Sequence, residues 1–205
     1  MSTFKEIPAY QLETLYRIML RRISKGYSAA QLAFLIGVPD YFVSDVETLE
    51  RPFYSADELE RIAIALEEKN PSCFSSALND ESILQVIVYG NHDDGRFVNA
   101  YYRVGEDDTQ TELFRLQEEV FPEADHAQEI LEILIDTIDV LIRTGYFYEP
   151  KLPFEVFSAV NSLWPEPVNP VFVQKALQSF MVSEGNEVRL RMAGQIGEVY
   201  RYEEC

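Results

Sequence analysis

The reading turns on Gly26 to Glu47, GYSAAQLAFLIGVPDYFVSDVE. Ser28, with Gln31 three residues later, gives a helix a start at which side chain and backbone can cap each other. Leu32, Ala33, Leu35 and Ile36 follow at helical spacing and make one apolar face. Gly37 can take the left-handed conformation in which helices commonly end. Val38 and Pro39 then open a second helix, with Phe42, Val43 and Val46 on one side. Two short helices joined by a turn of about 3–4 residues around a glycine are a helix-turn-helix arrangement.

Working outward, Leu15, Ile18, Met19 and Ile23 predict an earlier helix that stops at Lys25-Gly26. Ser55-Ala56-Asp57-Glu58 is a second capping box, and Leu59, Ile62, Ala63 and Leu66 form one face of a further helix. Ser28, Leu32-Ala33, Gly37-Val38, Val43-Ser44 and Glu47 fall in an order that resembles the lambda-repressor-like (Cro/Xre) DNA-binding family, and the likeness covers residues 11–68. The resemblance implies that duplex DNA is bound, with Asp40, Tyr41 and the partly core Phe42 opening the helix that reaches base edges. It places Asp45 where the family often has a basic residue on phosphate, and Leu49 where it usually has glycine. It also implies a structural pair between Arg22 and Glu47, tying two helices together.

Composition and charge limit what such a chain can do. At 205 residues, with 47% hydrophobic and 13% aromatic residues, it can bury the cores of two modest domains, and disorder is not indicated. Its apolar runs are far shorter than a membrane span, and the first residues lack the order of a secretory signal. Two cysteines, Cys73 and Cys205, are too few and too distant for a disulfide framework or a zinc site. The expectation is a reduced, cytoplasmic protein with no metal and no cofactor. The net charge of −18 works against nonspecific attraction to a polyanion. Residues 1–70 carry 8 Lys/Arg and 11 Asp/Glu, a net of −3, so residues 71–205 carry the remaining −15.

Two classes of function follow. As a DNA-binding regulator, the chain would draw on Arg17, Arg21, Arg22 and Lys25, crowded on the first helix, with Gln31, Asp40, Tyr41 and Arg51. The first-helix cluster is also compatible with an ordinary solvated face. Major-groove readout usually relies on Arg, Lys, Asn or Gln donors, yet no Lys or Arg lies between Lys25 and Arg51. As a protein-interaction module, the same unit would present Tyr41, Phe42, Phe53 and Tyr54 to a protein partner, residue types favoured at interfaces. A homodimer or a protein partner is expected on either reading.

The break at Asn70-Pro71-Ser72 separates a 1–70 domain from an acidic 80–205 domain. In the latter, Ile83–Tyr89 and Phe97–Val104 read as strands around a turn-rich loop, Gly90 to Gly95. Its His92-Asp93-Asp94 reads as a turn sooner than as metal ligands. Thr109–Val120 reads as a short acidic helix. His126–Thr144 is a regular helix with Gly145 as its stop, and Glu129, Glu132, Asp136 and Asp139 lie mostly off its apolar face. Leu152–Trp164 and 170–182 are two more helices, the second capped by Asn169-Pro170. Val188–Met192 and Glu198–Tyr202 are strands of a final hairpin. The element order over 127–204 resembles a winged-helix module, which would place Lys175 on its third helix and Arg189, Arg191 and Arg201 on the wing. No glycine-rich phosphate loop and no Gly-x-Ser-x-Gly elbow appears, so no enzyme is expected. The fold class is α+β, mostly α: a four- or five-helix unit, then an α+β domain with two β-hairpins.

Overall fold

Leu12, Leu15, Ile18 and Met19 recur at helical spacing, and all four are buried on the first helix, α1 (Ala9–Ser24). The structure is a computed structural model that describes residues 4–75, 80–93, 96–119, 126–165, 167–181, 188–194 and 199–205. After α1 come α2 (Ala29–Leu35), α3 (Tyr41–Glu47) and α4 (Ala56–Ala65). The capping box read at Ser55 is present: Ser55 N donates to Glu58 Oε2 at 2.7 Å, and Glu58 N donates to Ser55 Oγ at 3.3 Å. Among the described residues the protein is a mixed α+β fold of seven α-helices, a four-stranded antiparallel sheet and a separate two-stranded hairpin.

The chain divides into two compact units, residues 1–29 with 43–122 and residues 30–42 with 123–205. They are composed differently from the chain-order division at 70–80. The first unit holds the sheet, β1 (Lys5–Pro8), β2 (Ile83–Asp93), β3 (Arg96–Val104) and β4 (Gln110–Glu119), in spatial order β1-β2-β3-β4. Sequence reading did not find β1, whose four residues pair with β2 from Lys5↔Val86 to Pro8↔Ile83. The β2–β3 hairpin is longer than expected, with pairing that runs through Gly90 and Asn91 to Asp93↔Arg96, so only Asp94 and Gly95 remain of the expected loop. Those two residues lie outside the described residues, as do Ser76 to Asn79 and Phe121-Pro122.

Gln110–Glu119 forms a strand where a helix was expected over residues 109–120. Gln, Glu and Leu favour helix locally, but pairing with β3 overrides that weak preference. The register with β3 shifts once, making Leu113 the extra residue of a bulge. Beyond it Phe114, Leu116 and Glu118 share one face, and Phe114 stacks on Tyr101 at 4.3 Å and meets Tyr16 of α1 at 4.7 Å.

The second unit contains α5 (Ala127–Arg143), α6 (Pro153–Ser162) and α7 (Pro170–Ser179), then β5 (Leu190–Ala193) and β6 (Arg201–Glu204). Helix α5 buries Leu134, Ile138 and Ile142 and packs on α7 and α6. Asn169 caps α7 as expected, its side chain accepting from Val171 N at 3.0 Å. Lys151 and Tyr202 exchange two backbone hydrogen bonds of 2.8 Å, anchoring the hairpin beside α6. Among the described residues no helix is long and apolar enough to cross a membrane.

Candidate functional site

The cations of α1 are held by carboxylates of their own unit. Arg17 pairs with Glu13 one turn back at 2.5 Å and also donates to the Ser75 carbonyl. Arg21 pairs with Glu68, and Lys25 with Glu67, both just beyond α4. These pairs are partly exposed and contribute little stability, but each lowers the positive field a phosphate would meet.

Arg22 is a different case, and its candidacy as a phosphate contact is corrected. It is fully buried. Its Nε and Nη2 donate to the two oxygens of Glu47, both at 2.8 Å. Nη1 donates to Tyr27 O at 2.7 Å and to Glu118 Oε2 at 2.7 Å, and Nη2 also donates to Glu118. One guanidinium thus grips two carboxylates, each in bidentate fashion. Nearby, Tyr101 Oη donates to the Glu47 carbonyl at 2.5 Å. Withdrawal from water pushes the Glu47 carboxyl above its ordinary range; the charge and hydrogen bonds of Arg22 oppose this rise, and the nearby Glu118 charge adds to it. Burial likewise raises the Tyr101 hydroxyl, and the Glu47 charge adds to it. The pair expected between Arg22 and Glu47 is therefore present, and Glu118 is the member sequence reading missed. Reading 109–120 at period two would have found it: Phe114, Leu116 and Glu118 then point one way.

In the second unit the turn between α2 and α3 is seated on the carboxyl-terminal segments. Gly37 has φ of +73°, and its carbonyl accepts from Tyr200 N at 2.9 Å. A Cβ here would come within 2.8 Å of the Tyr200 carbonyl oxygen. Only glycine combines that backbone with that approach. Gln31 Nε2 donates to Asn169 Oδ1 at 2.9 Å, and Gln174 Nε2 reaches Asp40 Oδ1 at 3.4 Å. Two of the expected DNA-reading positions are thus engaged by α7 and its cap. Tyr200 and Tyr202 lie beside Asp40, and burial, with the Asp40 charge adding to it, raises both hydroxyls.

The proposed partner surface separates in the same way. Tyr41 is 63% exposed, whereas Phe42 and Tyr54 are buried at 7% and 4%, so the last two are core residues and cannot meet a partner. Phe53 is half-buried and meets the Tyr54 ring edge-on at 5.6 Å. Arg51 is half-buried in the loop that follows α3. Of the arginines placed on a wing, Arg189 pairs with Asp139 and lies over Phe180, while Arg191 donates to Glu203 at 2.7 Å. Arg201 is exposed on β6.

Among the described residues no cluster of three or more His, Cys, Asp or Glu side chains could hold a metal ion. Comparison with family models, with curated proteins and with solved structures returned no match.

Proposed function

We propose that this protein is an interaction module of a regulator, built on a helix-turn-helix that does not read DNA. The observation that carries this reading is the opening of α3, where Asp40 and Tyr41 are exposed in a segment without a Lys or Arg from residue 26 to residue 50. Base-edge readout wants donors at these positions, and phosphate wants cations beside them. The chain instead offers a carboxylate and an aromatic ring. The α1 cations that the Cro/Xre resemblance would spend on phosphate are matched by Glu13, Glu68, Glu67 and, for Arg22, two buried carboxylates. A carboxylate next to an exposed ring suits an arginine of a protein partner, which can stack on one and hydrogen-bond the other.

Two measurements on the full chain test this reading. Selection from random duplexes at low salt is expected to enrich no sequence, and recovery of a palindromic or repeated site would overturn it. A photo-crosslinker introduced at position 41 is expected to trap one defined protein in cells, and the added change Asp40→Ala is expected to abolish that product. An unchanged crosslinking pattern would also overturn the reading.

A further inference from the structure

Helix α5 carries two apolar stripes. Leu134, Ile138 and Ile142 form the buried one, on the side that packs against α6 and α7. Ile130, Ile133, Thr137, Val140 and Thr144 form the other, stepping along the helix at alternating intervals of three and four residues. That is the spacing of a seam along which two helices pack on each other. This second stripe is open to solvent, with Ile133 53% exposed and Val140 55%. Its threonines donate their hydroxyls to carbonyls of the same helix, Thr137 to Ile133 O at 2.8 Å and Thr144 to Val140 O at 3.0 Å. Covering the stripe would therefore leave neither hydroxyl without an acceptor.

The charges beside the stripe decide what fits it. Glu129, Asp136 and Arg143 recur every seven residues along one flank, at positions that meet across such a seam. The side chains of Glu129 and Arg143 are 76% and 73% exposed. The amino-terminal end of the face is acidic, with Glu129 and Glu132. At the other end Asp139 is met by both Arg143 and Arg189, which leaves a cation in excess. A basic partner helix would match the first end and be repelled by the second. A copy of α5 laid antiparallel matches both ends, because Glu129 of each copy then faces Arg143 of the other. The same register sets Ile133 beside Thr137 and Ile130 beside Val140. We propose that this face of α5 is a two-fold interface with a second copy of the chain, the two helices running antiparallel. The inference does not depend on the reading of α3, which concerns a different helix.

The same features limit the strength of the pair. From Ile130 to Thr144 the seam spans two heptads, about 21 Å at a rise of about 1.5 Å per residue. Free helices this short would not hold together, but α5 is already fixed by its packing and need not form on association. Asp136 faces its own copy near the two-fold axis. The net charge of −18 opposes approach at longer range, and physiological salt screens that repulsion beyond about 8 Å. The expected result is a weak dimer that dissociates at about 10–100 µM.

Sedimentation velocity of the full chain at physiological salt, from about 1 µM to about 500 µM, is expected to show a reversible dimer. Ile133→Asp is expected to weaken it at least about tenfold, and Asp136→Asn to tighten it about threefold. Glu129→Arg and Arg143→Glu are each expected to weaken association about fivefold when tested alone. An equimolar mixture of those two variants is expected to restore it, because in the mixed pair each glutamate again faces an arginine. A chain that stays monomeric throughout, a dimer indifferent to Ile133→Asp, or a mixture no tighter than its components would overturn the proposal. So would a photo-crosslinker at position 140 that joins α5 to a different protein and never to its own copy. The sedimentation of the unaltered chain needs no variant, so misfolding of a variant leaves the proposal open to refutation.

Discussion

The two compact units hold their central features by different physics. In the first, a guanidinium is clamped between two carboxylates away from water. In the second, the turn at Gly37 is held by a backbone hydrogen bond from Tyr200, with the Gln31 amide donating to the Asn169 amide oxygen and the Gln174 amide to the exposed Asp40 carboxylate. Overall charge does not separate the units. The first contains 11 Lys/Arg and 20 Asp/Glu, and the second 6 and 15, so each has a net of −9. What differs is where charge is buried. The ionic centre should tolerate a change of shape but not the loss of one partner, and the turn should do the reverse.

The largest effect is expected at Arg22. Arg22→Met leaves Glu47 and Glu118 facing each other without their cation, which should lower stability by about 3–5 kcal/mol in urea unfolding. Adding Glu47→Gln and Glu118→Gln to it should recover much of that loss, because the uncompensated charge is then gone. A triple variant no better than the single one would show that shape, not charge, governs this centre.

Next comes Gly37→Ala, which forces a side chain into left-handed backbone and against the Tyr200 carbonyl. A loss of about 1–3 kcal/mol is expected. Gln31→Ala, which removes one neutral hydrogen bond, should cost about 1 kcal/mol or less. If the two changes proved equal, the turn would be held by its amides and not by its backbone fit.

The third prediction concerns pH. Burial raises Glu47, so the folded state holds this proton more tightly than the unfolded chain does. Its contribution to stability is full below the ordinary carboxyl pKa and is lost as pH rises through the raised one. Within that window the slope approaches about 1.4 kcal/mol per pH unit. Glu47→Gln should flatten that part of the urea-midpoint profile. Asp80 and Glu112 are held below the ordinary range by hydrogen bonds, to Ser82 and to Arg115 and Tyr102 respectively. They act in the opposite sense, giving up stability as pH falls toward their lowered values. A midpoint profile identical with and without Glu47→Gln would remove Glu47 from the account.

The smallest effect is an ordering. Leu49 is half-buried and adopts a left-handed backbone with φ of +61°, which favours glycine. Leu49→Ala loses apolar contact and keeps the strain, whereas Leu49→Gly loses the contact and relieves it. The glycine variant should be the more stable by about 1 kcal/mol, the reverse of the ordinary helix ranking. Thermal unfolding of both variants checks it.

Much of the helical content was legible because its signals are local. Ser55 and Glu58 cap α4, Asn169 caps α7, and the apolar period of residues 126–144 survives as α5. The strands were less legible. Four residues at the amino end carry no period to speak of, and β1 exists because β2 is there to pair with it. β4 reads locally as a helix and is a strand because β3 offers it a ladder. At the candidate site, the exposure of Tyr41 and the core placement of Phe42 and Tyr54 could not be separated by residue type alone. All three are aromatic, and only burial tells them apart.

By itself the sequence determined the acidity of this protein, the helices around Gly37 and the freedom of that glycine to take a left-handed turn between them. Each of these is a property of composition or of a few neighbouring residues. Tertiary structure alone decided what the cations do. Arg17, Arg21, Arg22 and Lys25 look alike as a basic cluster on one helix. The carboxylates that engage the last three come from positions at least 25 residues away, Glu47 and Glu118 for Arg22, Glu68 for Arg21 and Glu67 for Lys25. A charge is written in the sequence, but its partner, its burial and so its use depend on which distant segment the fold brings beside it.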